Sequence, residues 1–159
     1  MKQQGVTLIQ MMFALAMATL LTQLGLPAYA RLSDDLHKAA VARDLAQTLR
    51  SARSHAVLQG QPVLVQSLDK DWGKGWRVML EHNQRVLREQ RLPRPVNIAA
   101  NTGGQIRFSA LGTPWNGFGG RLEVCEKKAG PSLYRVVLAS SGRISLRTDE
   151  MKGSLCADS

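Results

Sequence analysis

Five cations in the last third of this 159-residue chain stand where they could act together: Lys127, Lys128, Arg143, Arg147 and Lys152. Arg143-Ile144-Ser145-Leu146-Arg147 alternates charged or polar residues with apolar ones, which predicts a strand. A period of two puts Arg143, Ser145 and Arg147 on one face and turns Ile144 and Leu146 inward. Lys127-Lys128 falls in a loop before Tyr134, and Lys152 in the C-terminal tail. A tail folded back beside the last strand would gather all five into one patch. Such a patch holds phosphates without reading base sequence, and its grip weakens steeply as salt rises. A solvated basic sheet edge, which discourages edge-to-edge pairing, is the alternative, and both stay open.

The formal charge of +9 points the same way, toward an anionic partner. Charge alone does not choose between nucleic-acid phosphates and lipid head groups. A second basic run, Arg85, Arg88, Arg91 and Arg94, mixes strand parities and makes no single flat patch. Catalysis finds no support. His37, His55 and His82 are scattered without metal-ligand spacing, and no Gly-x-Ser-x-Gly elbow or P-loop occurs. Gly117-Phe118-Gly119-Gly120 lacks the lysine and the strand-to-helix setting of a phosphate cradle. No enzymatic activity, metal or cofactor is expected.

The elements that must position these residues begin with an apolar segment. No Asp, Glu, Lys or Arg interrupts the chain between Lys2 and Arg31. As a helix, Val6 to Leu26 would reach roughly 30 Å, the thickness of bilayer hydrocarbon. Lys2 is then expected on the cytoplasmic side and everything after Arg31 on the far side. Three readings fit this segment: a secretory signal cut after Ala28-Tyr29-Ala30, a plain anchor, or a leader cut after Gly5 that leaves the helix on the mature chain. The apolar run exceeds the ~7–15 residues of a signal core, which favours the last two. An exported chain meets an oxidising compartment, so Cys125 and Cys156 are expected to be bridged. That bridge ties the tail to an internal strand and closes a loop of about 30 residues, worth roughly 3–4 kcal/mol.

Beyond the apolar segment, Leu36, Ala40, Leu45, Leu49, Ala52 and Ala56 recur at helical steps, opposite a polar stripe of Arg43, Gln47, Arg50 and Ser54. Gly60 and Pro62 stop the helix. The period then becomes two. Strands are expected at 63–68, 76–81, 85–90, 96–99, 105–109, 121–125, 134–139 and 143–147. Asp69 to Gly75 reads as a glycine-bearing turn, and Gly112 to Gly120 as a loop. The fold class is α+β: one long helix packed on antiparallel sheet.

Gly5, an apolar residue and Thr7-Leu8-Ile9 resemble the leader signature of type IV pilins and pseudopilins, with Pro27 where those proteins carry a helix-kinking proline. The resemblance implies cleavage between Gly5 and Val6 by prepilin peptidase, and N-methylation of Val6. Gln10 stands where the family carries Glu, which suits a low-copy subunit near a filament tip. Trp72-Gly73-Lys74-Gly75-Trp76, the later Val86-Leu87-Arg88 and the closing Val136-Val137-Leu138-Ala139-Ser140-Ser141-Gly142-Arg143 are similar to the GspH/FimT minor pilin and pseudopilin family. Asp71 to Gly75 looks like the FimU/FimT branch.

The resemblance runs from about residue 5 to 156. It implies a pilin-like fold with a leader at 1–5, a membrane and polymerisation helix at 6–30 and a periplasmic domain at 31–159. The chain would cross the inner membrane once in a Gram-negative bacterium and enter the pilus filament. Its partners would be major and minor pilins, the prepilin peptidase and the inner-membrane assembly platform, and its role would be to help start assembly. Two alternatives stay open: a minor pilin that binds double-stranded DNA for uptake in natural transformation, and a type II secretion pseudopilin. FimT-type members carry a C-terminal Gly-Arg-x-Arg; here Gly142-Arg143-Ile144-Ser145 lacks the second arginine, for which Arg147 is a partial substitute.

Overall fold

The computed structural model describes residues 7–128, 130–148 and 153–158. Gly5, Val6 and Lys152 lie outside the described residues, as does the side chain of Pro27. The first element, α1, spans Leu8–Gln59. The chain divides into an N-terminal unit ending at His37 and a second unit beginning at Lys38.

In the N-terminal unit the helix opens with half of a capping box, the Gln10 side chain reaching back to the residue before the helix. Thr7 accepts the amides of Gln10 and Met11 on its carbonyl, while its own N–H donates to Gln10 Oε1 at 3.1 Å. Thr19 and Thr22 return their hydroxyls to the carbonyls of Ala16 and Ala18, at 2.8 and 3.0 Å. These side chains therefore satisfy their polar groups within the helix, as an apolar surrounding requires.

In the second unit α1 carries one inward stripe. Ala42, Leu45, Ala46, Leu49, Ala52 and Ala56 are all buried, and Arg43, Gln47, Arg50 and Ser54 are exposed. Two positions assigned to the inner stripe by spacing behave otherwise. Ala40 is exposed because five residues from Leu45 carry it well round to the far side of the helix. Leu36, in the N-terminal unit, is 61% exposed. The helix ends in a Schellman arrangement: Gly60 has φ 61°, and Gln61 N–H donates to Ala56 O at 3.1 Å.

Two four-stranded antiparallel sheets follow, where the sequence pattern shows a single run of strands. The strands are β1 (Val63–Leu68), β2 (Asp71–Leu80), β3 (Val86–Arg91), β4 (Ile98–Ala100), β5 (Gln105–Phe108), β6 (Gly120–Cys125), β7 (Ser132–Leu138) and β8 (Ile144–Arg147). The first sheet has order β3-β2-β1-β5 and the second β4-β6-β7-β8. Side chains from both meet the helix stripe in one core, with Trp76, Val65 and Phe108 from the first sheet and Leu122, Val136 and Leu138 from the second. The Trp76 indole is buried against the helix and donates to Thr48 Oγ1 at 3.1 Å, while Trp72 donates to Gly103 O at 2.7 Å.

The expected turn from Asp69 to Gly75 is shorter than its glycines suggest. Asp69 and Lys70, both with positive φ, form a two-residue hairpin, and β2 begins at Asp71. Gly73 and Gly75 therefore lie inside a strand. Their role is close approach: a Cβ on Gly73 would collide with Val96 O, and one on Gly75, at φ 130°, with Gln90 O. Gly75→Ala is accordingly expected to cost more than about 2 kcal/mol in denaturant unfolding followed by tryptophan fluorescence. Gly117→Ala, at φ 68° with open space around it, should cost only about 1 kcal/mol.

Candidate interaction surfaces

The N-terminal unit presents apolar side chains outward. Leu8, Ile9, Phe13 and Leu21 are each at least 70% exposed. By length and composition α1 can cross a bilayer, its most apolar 18-residue window having a mean hydropathy of 1.6 with none of it buried. Such a surface suits anchoring in a membrane or packing among other apolar helices.

The second surface is the face of the β4-β6-β7-β8 sheet turned away from the helix. Alternation along β6 sends Leu122 into the core and Glu123 to the opposite face. Glu123 is 0% exposed all the same, because the C-terminal segment covers it. Arg135, its cross-strand neighbour on β7, places Nε 2.6 Å from Glu123 Oε1. Ser154 Oγ and Leu155 N–H donate to Glu123 Oε2 at 2.9 and 3.0 Å. Cys156, in the 3-10 turn Leu155–Asp158, is bonded to Cys125 with 5.7 Å between the Cα atoms. The tail is thus fastened covalently at Cys125 and electrostatically at Glu123, two residues apart on one strand. Neither Glu123 nor Arg135 is singled out by its sequence context, since a charged residue in an alternating strand ordinarily faces water.

Burial by itself would raise the Glu123 pKa. The Ser154 hydroxyl, the Leu155 amide and Arg135 outweigh it and hold the carboxyl below its ordinary value.

The basic residues divide. Cross-strand register aligns Arg121 with Val137 and Ser145, and Arg135 with Arg147, so Arg121, Arg143, Ser145 and Arg147 share the tail-bearing face. Arg143 and Arg147 are exposed, and the Arg121 guanidinium donates to Gly153 O at 3.5 Å. Lys127 and Lys128 sit in the loop before β7, whereas Arg143 sits in the turn after it. The seven residues of β7 separate them by roughly 20 Å. Lys127 and Lys128 thus lie apart from Arg143, Arg121 joins Arg143 and Arg147 on their face, and Lys152 falls outside the described residues. Arg121 was missed because its alignment depends on cross-strand register, not on sequence spacing.

A third feature is the loop from Leu111 to Gly119, which carries Leu111, Trp115 and Phe118 at 82%, 60% and 75% exposure. Arg107 lies over the Trp115 ring, 3.6 Å from its centroid, and its Nε is 2.7 Å from Glu81 Oε2. His37, His55 and His82 fall on α1 and on the β2–β3 turn, and no His, Cys, Asp and Glu group with metal-binding geometry occurs among the described residues.

A long helix with an exposed apolar N-terminal part, followed by a helix-backed pair of antiparallel sheets and a disulfide-fastened tail, is the pilin architecture. Residues 41–142, more than half of the chain, match the family model described as type II transport protein GspH. The chain belongs to the GspH family and is a GspH/FimT-type minor pilin or pseudopilin, a structural and non-enzymatic protein that associates with other pilins or pseudopilins. Two crystal structures of the Pseudomonas aeruginosa type IV minor pilin FimU share its fold. One aligns at 24% identity and TM-score 0.63 over 73% of this chain and 92% of that one. The other aligns at 27% identity and TM-score 0.55 over 69% and 91%. No curated protein matches the chain at a significant level.

Removing Glu123 strands Arg135 in a buried site, so Glu123→Gln should lower stability at neutral pH by about 3–5 kcal/mol. Because the folded-state pKa lies below the ordinary 4.5, the wild-type advantage is complete above that pH and fades as pH falls through the folded value. Unfolding scans between neutral pH and about pH 3 should therefore show the two proteins converging in acid. Cys156→Ala should cost about 3–4 kcal/mol in the same assay.

Proposed function

We propose that the chain is a minor pilin of a type IV pilus that helps to start filament assembly. The observation that carries this reading is the exposed apolar surface of α1 ahead of a GspH-family domain. In this reading residues 1–5 are a leader, 6–30 the membrane and polymerisation helix, and 31–159 a periplasmic domain. Prepilin peptidase cuts between Gly5 and Val6, Val6 is methylated, and the helix waits in the inner membrane for the assembly platform to lift it among other pilin helices. Gln10 supports a place at the filament end, since its amide oxygen is taken up by its own helix at Thr7 N–H. Mass spectrometry of purified filaments should find a peptide that begins with methylated Val6, and deletion of the gene should lower the number of pili per cell. A chain found only free in the periplasm and beginning at Arg31 would overturn the proposal. The family's type II transport description favours a secretion pseudopilin instead, and absence from pili with loss of secretion on deletion would select it.

A second reading, contact with double-stranded DNA, is favoured by the shared face of Arg121, Arg143 and Arg147. Glu123, the carboxylate that cross-strand register places on this face, is taken up by Arg135. Such contacts neutralise phosphates without sequence readout. Arg143→Ala with Arg147→Ala should weaken binding of duplexes of any sequence alike, and should reduce the slope of affinity against salt by about one for each arginine. Absence of retardation in a gel shift with the full chain in detergent, even at low salt, would remove this reading.

A further inference from the structure

The chain holds four asparagines, and only Asn116 is followed by glycine. Asn97 and Asn101 precede the β-branched Ile98 and Thr102, and Asn83 precedes Gln84. An asparagine side chain carries an electrophile, the amide carbon Cγ, within reach of the main-chain nitrogen of the next residue. Attack there closes a five-membered ring. A side chain on that next residue crowds the approach, and glycine has none.

The fold supplies the orientation. Asn116 and Gly117 lie in the loop from Leu111 to Gly119, and both are exposed. Gly117 has φ 68°, with nothing within 4 Å of the place a Cβ would take. The Phe118 N–H donates to Asn116 Oδ1 at 3.2 Å, an Asx turn that folds the side chain back along its own main chain. That bond carries Cγ toward the intervening Gly117 nitrogen and draws electron density from the carbonyl under attack. Holding a nucleophile beside its target lowers the barrier between them. One restraint opposes the step: the Gly117 N–H donates to Pro114 O at 3.1 Å, and this bond must open first. The opening is local, because Leu111, Trp115 and Phe118 are all largely exposed and few apolar contacts hold the loop closed. Asn83 is the natural comparison. Its Oδ1 takes the Arg85 N–H at 3.0 Å in the same arrangement, but the next residue is Gln84, at φ 55° and with a side chain. Asn101 Oδ1 is instead directed across to the Arg121 N–H at 2.7 Å.

We infer that Asn116-Gly117 is a site of spontaneous deamidation in the folded protein. The Gly117 nitrogen loses its proton to hydroxide and bonds to Asn116 Cγ. The Cγ–Nδ2 bond breaks, and the nitrogen leaves as ammonia with a proton taken from water. Water then opens the cyclic imide at one of its two carbonyls, giving aspartate or isoaspartate. One water is taken up and one ammonia released, with no oxidant, reductant or cofactor. Either product adds a negative charge to a chain of formal charge +9. Aspartate keeps an oxygen for the Phe118 N–H. Isoaspartate routes the main chain through the former side chain and lengthens it by an atom, so the turn is lost. The chemistry is independent of whether the chain works in a pilus or on DNA.

The test keeps the full chain in detergent at mildly alkaline pH, with a parallel sample in guanidinium, and follows tryptic peptides 108–121 and 78–85 by mass spectrometry. The folded sample should convert at Asn116 into two acidic forms, while Asn83 stays an amide. In heavy-oxygen water the new acid should carry one heavy oxygen, which marks hydrolysis of the imide during the incubation. Gly117→Ala should lose most of the conversion. Conversion in guanidinium alone would mean that the turn protects Asn116, and the inference would be overturned. Conversion of Asn83 at the same rate, an undiminished rate in Gly117→Ala, or no conversion in either sample would overturn it equally.

Discussion

The inward stripe of α1 is the constraint on which the rest of the second unit depends. Its buried positions include the alanines at 42, 46, 52 and 56, with Leu45 and Leu49 between them. These small side chains leave space that the sheet side fills, chiefly with Trp76 and Phe108. The Trp76 N–H is buried by this arrangement and finds its acceptor on the helix at Thr48. A larger residue at any of these alanines would have to push both sheets outward, because close-packed interiors have little room to give.

The far face of the second sheet follows a different physical logic. Apolar burial is replaced there by a disulfide and a buried ion pair that share one strand and one covering segment. Buried ion pairs contribute little net stability when made, yet they are costly to break, which makes them good at specifying one arrangement. Ser154 and Leu155 complete the Glu123 carboxylate, so the tail has a single register in which that charge is satisfied. The chemistry therefore fixes where the C-terminus lies, and with it the surroundings of Arg121, whose guanidinium reaches Gly153 O.

Division of labour in a GspH/FimT-type pilin is visible along the single helix. Its N-terminal part is apolar on all sides and suits a surrounding of lipid or of other such helices. Its later part is apolar on one stripe and covers a folded domain. The helical backbone satisfies its own hydrogen bonds in both settings, so one continuous element can serve both. The arginine-bearing sheet face belongs to the second unit.

Sequence by itself determined the features that depend on local order. The charge-free run before Arg31, the alternation of the strands, the exposed stripe of Arg43, Gln47, Arg50 and Ser54, and the stop at Gly60 all follow from residues near one another in the chain. Tertiary structure decided whatever depends on residues far apart. Gly73 and Gly75 look like turn glycines until the carbonyls of Val96 and Gln90 are seen against them. Glu123 looks solvent-facing until Arg135 and Ser154 close over it. Lys127 and Arg143 look like neighbours until β7 separates them, and Arg121 looks unrelated until β6 and β7 align it. Local patterns record which way a side chain points; which partner meets it there is set by chain closure over tens of residues, and spacing carries no trace of that.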